Sequence, residues 1–420
     1  MRRVDYDLAL GHSPPMEISE TDGEGRTGRV AEVGLAFLRL GLTSFGGPVA
    51  HLGYFRDAFV VRLAWIGEAD YADLVAFCQF LPGPASSQVG IAIGWQRAGY
   101  LGALAAWAGF TLPSVLLLLA FAFGLSHWPG VLPPGLLHGL KIAALAVVAQ
   151  AVWSMARTLA PDVPRRAVAL LAAMAVLLVP QGWAQLAALA VAGAWGGFAG
   201  RPAIQAVVED AALPPVRHGL NVALMTLFFL LLVGLPLVAW ATGDPFLRVA
   251  DIFYRAGALV FGGGHLVLPL LQAQLVPGLI SRETFLAGYG ATQAVPGPLF
   301  SFAAFAGAML GGQPSGLGGA ALALGAIYLP SFLLVLGLLP YWHRLRRVAR
   351  LRAALDGVNA AVVGLLLAAL YDPVFTSAVA TPADLAFALL ALGALQLGRI
   401  PPWLLVVGCG LLGLLPVWAA

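Results

Sequence analysis

The chain has 420 residues, 60% of them hydrophobic and 10% charged, with a mean hydropathy of +0.87. A soluble globule runs near one quarter charged, so this composition excludes a water-soluble domain and predicts an all-α integral membrane protein. A net charge of +3 is too weak a field for a nucleic-acid partner, and the two cysteines, Cys78 and Cys409, have neither disulfide nor metal-ligand spacing.

Residues 1–29 read as a polar N-terminal tail, because no apolar core follows Arg2 and Arg3 and carboxylates run from Asp5 to Glu24. An apolar helix needs about 20 residues to cross the hydrocarbon. Candidate spans follow at 33–53, 71–97, 99–126, 136–157, 166–181 and 183–200, then at 219–242. Six more lie at 247–268, 284–311, 318–340, 354–371, 383–398 and 402–419, which makes a bundle of about thirteen spans. Segments 71–97 and 284–311 are interrupted by Pro82-Gly83-Pro84 and Pro296-Gly297-Pro298. Proline lacks an amide donor and clashes with the preceding turn, so each is a broken helix that crosses or a hairpin that re-enters. Crossing is preferred, because the basic loops then fall on one side.

With a cytoplasmic N-terminus, Arg56, Arg62, Lys141 and Arg248 fall outside, Arg39 and Arg255 fall within spans, and all other basic residues lie inside. That bias fits the positive-inside rule for a cytoplasmic (inner) membrane protein, with the C-terminus outside.

The chain also repeats itself. Phe37, Arg39, Gly41 and Phe45-Gly46-Gly47-Pro48 recur as Phe253, Arg255, Gly257 and Phe261-Gly262-Gly263-Gly264. Gln79 precedes the first Pro-Gly-Pro as Gln293 precedes the second, and Leu112-Pro113-Ser114 returns as Leu329-Pro330-Ser331. Loop 127–140 holds no Arg, whereas its equivalent 341–353 holds five, so the copies face opposite ways. The expected organisation is a first repeat at 30–200, a linker with one span at 201–246, and an inverted second repeat at 247–420. Inverted repeats with interrupted helices at matching positions are the architecture of secondary transporters. Duplication for packing alone is the competing reading.

Arg39 and Arg255 are the candidate anion ligands. A guanidinium at the bilayer centre costs about 2.5–3.5 kcal/mol, so such residues usually face the bundle interior, although Arg39 lies near enough to its span end to snorkel. Two arginines with no evident intramembrane carboxylate point to a dianion, and planar guanidinium forks suit a tetrahedral oxyanion. The two Phe-Gly-Gly stretches and the two Pro-Gly-Pro breaks would present backbone amides at half-helix N-termini. Gln79, Gln293, Ser86, Ser87 and Ser301 add neutral donors, or bond neighbouring helices. Glu32, Asp73, Asp251 and Glu283 read as solvated carboxylates at span ends, and His51 and His265 as local structural groups. No metal cluster, phosphate loop or nucleophile–base pair is present, so neither a cofactor nor an enzyme is expected.

These motifs resemble the chromate ion transporters in their long, two-domain form. The resemblance rests on Phe45-Gly46-Gly47-Pro48 with Ala50-His51-Leu52, Gln79-Phe-Leu-Pro82-Gly83-Pro84-Ala85, Phe261-Gly262-Gly263-Gly264 and Gln293-Ala-Val-Pro296-Gly297-Pro298, and it covers the chain from about residue 30 onward. It implies export of chromate and chromate resistance, with sulfate as the similar competitor. A dianion leaving an inside-negative cell gains about 2 × 2.3 kcal/mol per 100 mV, so export is electrically downhill. Uptake or exchange of sulfate or another oxyanion stays open, as do a homo-oligomer and a non-transporting membrane scaffold.

Overall fold

The computed structural model describes residues 23–45, 47–127, 133–179, 182–199, 218–260, 267–276, 278–345, 348–397 and 400–414, and among these there is no β-strand. The first copy opens with α1 (Gly23–Thr43) and α2 (Gly47–Phe55). The expected span 33–53 is therefore two helices. Ser44 closes the last turn of α1 onto the Leu40 carbonyl, Gly47 takes φ +80°, and Pro48 sits in the first turn of α2, where its missing amide costs nothing. A wide π-type turn, Arg56–Arg62, leads to α3 (Glu68–Phe80) and, past Pro82-Gly83-Pro84, to α4 (Ala85–His127). Helix α4 is kinked at Ala98–Gly99 and folds back on itself. Its two arms touch where a Cβ on Gly94 would stand 2.4 Å from the Gly102 carbonyl oxygen. The copy ends with α5 (Pro134–Leu159), α6 (Val163–Leu178) and α7 (Gly182–Ala199).

Helix α8 (His218–Thr242) links the copies. Asn221 Nδ2 donates to the Gly337 carbonyl at 3.0 Å, and the Phe228 carbonyl accepts from the Tyr254 hydroxyl at 2.9 Å. Its other faces are apolar and open, including Phe229, Val233, Leu237 and Trp240, as a surface against lipid tails is.

The second copy comprises α9 (Pro245–Leu259), α10 (Val267–Leu275), α11 (Arg282–Ala294), α12 (Phe302–Ala308), α13 (Gly316–Leu338) and the short α14 (Trp342–Leu345). It closes with α15 (Ala349–Ala369), α16 (Thr376–Ala378), α17 (Pro382–Gln396) and α18 (Pro402–Leu412). Asp244 caps α9, and Thr381 with Asp384 forms a capping box on α17. The expected span 247–268 ends early, since α9 stops at Leu259. Five stretches among the described residues are long and apolar enough to cross a membrane: Ala85–Ser126, Gly135–Leu159, His218–Thr242, Gly316–Tyr341 and Ala349–Ala378. A window of apolar residues measures length, whereas proline and positive-φ glycine divide that length into shorter helices. Lys141, assigned to an outside loop from sequence, lies inside α5, because that helix starts at Pro134.

Packing follows the duplication. Within the first copy Gly41 of α1 meets the Phe110 carbonyl of α4, and within the second Gly257 of α9 meets the Ile327 carbonyl of α13. Between copies the contacts are reciprocal. Gly139 and Gly135 of α5 meet Cys409 and Gly413 of α18, while Gly357 and Ala353 of α15 meet Ala192 and Gly196 of α7. Each second pair lies 217 or 218 residues from its counterpart in the first. Polar contacts obey the same rule with charges exchanged. His138 of α5 bonds Asp384 of α17 at 2.7 Å, and Asp356 of α15, the equivalent of His138, takes Arg165 of α6 at 3.0 Å. A surface meeting its own equivalent in this crossed fashion is the mark of a two-fold relation, here between halves of one chain.

Candidate functional site

The two Pro-Gly-Pro breaks sit where the copies cross. The Gly83 amide donates to the Val260 carbonyl at 2.6 Å, and the Gly297 amide donates to the Ser44 carbonyl at 2.9 Å. Val260 and Ser44 are the residues just before the two Phe-Gly-Gly motifs in sequence, so each break of one copy docks on the equivalent residue of the other. Both glycines need φ beyond the range of other residues, +121° at Gly83 and +99° at Gly297. Both also lie against a serine of the partner copy's Leu-Pro-Ser motif. A Cβ on Gly83 would stand 2.8 Å from Ser331 Oγ, and one on Gly297 would stand 3.0 Å from Ser114 Oγ. Each break thus meets both the partner copy's Leu-Pro-Ser serine and the residue preceding its Phe-Gly-Gly motif, twice and crosswise.

Carbonyls freed by the prolines are taken up locally. Gln88 Nε2 donates to the Pro82 carbonyl at 2.6 Å, and the Ser301 hydroxyl donates to the Pro298 carbonyl at 2.6 Å. Pro84 and Pro298 are buried, as are Ser86, Ser87 and Ser301. His51 is buried with its ring at the Ser44 carbonyl and edge-on to Phe110. Its Nδ1 lies 3.4 Å from Ser86 Oγ while Nε2 has no partner. Phe45 meets Trp403 of α18 with ring centroids at 5.3 Å and the planes tilted by 42°. Gly46, Phe261, Gly262, Gly263, Gly264 and His265 lie outside the described residues.

The arginines are not equivalent. Arg39 is exposed on α1, and among the described residues no carboxylate pairs with it. Arg255 is held by Asp251 one turn earlier, through Nε at 2.6 Å and through a second, shorter contact from Nη2, and Nη2 also reaches Gln274 Oε1 at 3.1 Å. This corrects two readings. Asp251 is not a solvated span-end carboxylate but a buried counter-ion, and Arg255 is not without an intramembrane partner. Linear sequence places Asp251 near a span end, but α9 packs against α8, α10 and α13, which bury it. Asp73 is likewise buried on α3, whereas Glu32 is open and pairs with Arg97 at 3.1 Å. The glutamines diverge too: Gln79 is exposed, while Gln293 is buried beside Tyr289 with Nε2 unpaired.

Several polar residues at this crossing escaped sequence reasoning. Ser44, Gln88, Thr111 and Tyr328 are fully buried here, and each has at least one polar atom with no hydrogen-bond partner. The available signal was periodicity. Thr111 and Ser114 lie three apart on one helix face, and Tyr328 and Ser331 repeat the pattern 217 residues on. Among the described residues no group of His, Cys, Asp or Glu is placed to hold a metal ion.

Comparison with known proteins agrees with this duplicated design. Residues 31–198 and 247–414 each match the family model described as chromate transporter. The chromate transport protein of Cupriavidus metallidurans is 27% identical over 389 residues, covering 90% of this chain and 91% of that protein. The chromate transport protein of Pseudomonas aeruginosa is 30% identical over 354 residues, covering 80% and 79%. An uncharacterized transporter of Methanocaldococcus jannaschii is 24% identical over 339 residues, covering 80% and 82%. No solved structure matches.

Proposed function

This chain belongs to the chromate transporter family, and we propose that it exports chromate across the cytoplasmic membrane by alternating access around the crossing of its two repeats. It is a multi-pass membrane transporter, and relatives named chromate transport protein supply the substrate. The observation that carries the reading is the reciprocal docking of Gly83 on Val260 and Gly297 on Ser44, which gathers both sets of broken helices at one place. Irregular backbone at membrane depth is tolerated where protein buries it or where it lines a cavity, and in inverted-repeat transporters such backbone holds the substrate.

In this reading residues 30–200 and 247–420 are the two inverted halves, turned over by the span within 201–246, with the N-terminus cytoplasmic and the C-terminus outside. Segments 71–97 and 284–311 cross as broken helices. The anion enters between the Phe-Gly-Gly stretches and the Pro-Gly-Pro breaks. Arg39 draws it electrostatically, and Arg255 contributes once its charge is shared between Asp251 and the ligand. Membrane potential drives the dianion outward.

Everted vesicles test this. Chromate should accumulate when the potential is imposed and fail to when it is collapsed, and accumulation sustained by a pH gradient alone would overturn the driving force proposed. Arg39→Gln with Arg255→Gln should abolish accumulation; wild-type rates in the double variant would remove the arginines from the site. Sulfate has the same tetrahedral dianionic form, and competition by sulfate, molybdate and phosphate ranks the substrates.

A further inference from the structure

Among the described residues, Arg39 is turned outward and Arg255 is already paired, whereas several buried oxygens near the crossing are neutral and unsatisfied. The Tyr328 hydroxyl of α13 lies against the hydroxyls of Ser87 and Thr111, both on α4. None of the three oxygens has a hydrogen-bond partner of proper geometry, and Ser331 Oγ, one turn along α13, is also unpaired. All four residues are at least nine-tenths buried. Trp107 and Phe300 hold the tyrosine ring, with centroids at 5.6 Å and 5.9 Å. Buried polar atoms are nearly always satisfied, so three adjacent hydroxyls and a fourth one turn along α13, none with a partner of proper geometry, point to a ligand or ordered water among them.

Their arrangement is not arbitrary. Thr111 and Tyr328 are equivalents in the two copies, 217 residues apart, and they meet. Ser331 abuts Gly83, and Ser114, on the same face of α4 as Thr111, abuts Gly297. A polar stripe therefore runs from one Pro-Gly-Pro break to the other through the place where the copies' equivalent hydroxyls face each other.

We propose that Ser87, Thr111, Tyr328 and Ser331 form a neutral hydroxyl cage that coordinates the tetrahedral dianion, so that selectivity resides in uncharged donors rather than in the arginines. This rests on the transport reading above and names the coordinating groups within it. A hydroxyl turns its proton to whichever oxygen arrives, and a fully ionised oxyanion offers acceptors on every corner. Donors without fixed charge also bind firmly enough to select while letting the ion leave, which conduction through a narrow site requires.

Thr111→Val and Tyr328→Phe keep shape and remove one oxygen each. In everted vesicles each should raise the KM for chromate about ten- to a hundredfold, the range of a hydrogen bond to a charged partner, with a smaller change in maximal rate. Purified protein in nanodiscs should lose binding of radiolabelled sulfate and chromate to the same degree. The ligand-free protein should melt no lower than wild type, because deleting an unsatisfied buried hydroxyl leaves no further group unpaired. An unchanged KM, or a lowered melting temperature with KM intact, would show hydroxyls that only brace the helices and would overturn the cage. Should Tyr328→Phe fail to assemble, Ser331→Ala and Ser87→Ala carry the same expectation. If wild-type vesicles take up no chromate, the transport reading fails on its own, and loss of sulfate binding in the variants would still uphold the cage; wild-type protein that binds neither anion overturns both.

Discussion

The two copies share their motifs but not their surroundings. In the second, α11 is packed between α5 and α18, Gln293 is buried, and Arg255 is tied to Asp251. In the first, α3 has its main contacts with α4, Gln79 is exposed, and Arg39 has Leu35 where Arg255 has its carboxylate. The glutamine before one Pro-Gly-Pro break is thus covered and its equivalent open, although both breaks themselves are largely buried. In the alternating-access mechanism proposed above, exchanging these two environments would turn a site from one side of the membrane to the other.

Removing the asymmetric carboxylate should have the largest effect. Asp251→Ala leaves the Arg255 charge half-buried without its partner, and stability should fall toward the about 3–5 kcal/mol seen when a buried pair is broken, reduced because Arg255 keeps some solvent access. Denaturant unfolding in detergent measures it, and a loss no greater than that of Leu35→Ala would mean the pair contributes nothing special.

Backbone strain comes next. Gly83→Ala and Gly297→Ala each force a side chain into a positive-φ conformation, costing about 1–3 kcal/mol. Gly83→Ala should be the worse, because its Cβ would also stand 2.5 Å from Gln88 Nε2, whereas the nearest atom to one on Gly297 is at 3.0 Å. Equal melting temperatures would contradict that ranking.

Thiol accessibility sharpens the comparison more gently. In a background lacking Cys78 and Cys409, Gln79→Cys should react readily with a hydrophilic maleimide and Gln293→Cys slowly, and saturating chromate should bring the two rates closer. Rates already equal without substrate would dissolve the asymmetry. The smallest effect belongs to the exchanged ion pairs at the edge of the bundle. Asp356→Asn parts a half-exposed carboxylate from Arg165 and should cost about 1 kcal/mol or less, visible as a minor shift in melting temperature.

Much of this was readable in one dimension. Phe-Gly-Gly, Pro-Gly-Pro and Leu-Pro-Ser recur in order at nearly constant offset, and proline chemistry alone dictates that the helices containing them break. Serine and threonine in a helix, by contrast, say nothing of which neighbour they face until that neighbour is placed. Thr111 and Tyr328 therefore passed as ordinary residues of leucine-rich helices, although their equivalence was present in the repeat. Asp251 was misread for a related reason: its distance from a span end is a linear quantity, whereas its burial comes from α8, α10 and α13 closing around it.

Composition, periodicity and motif spacing were enough to establish a duplicated helical membrane protein with interrupted helices, because apolar length and the missing proline amide are local properties of the chain. That each break docks on the other copy at Val260 or Ser44, that one arginine is neutralised and its twin is not, and that two equivalent hydroxyls meet unsatisfied were decided only by the tertiary structure. The docking and the meeting of Thr111 with Tyr328 depend on which surfaces face each other where the copies cross, between residues far apart in the chain, and the Asp251–Arg255 pair, one helical turn apart, is buried only because other helices close around it.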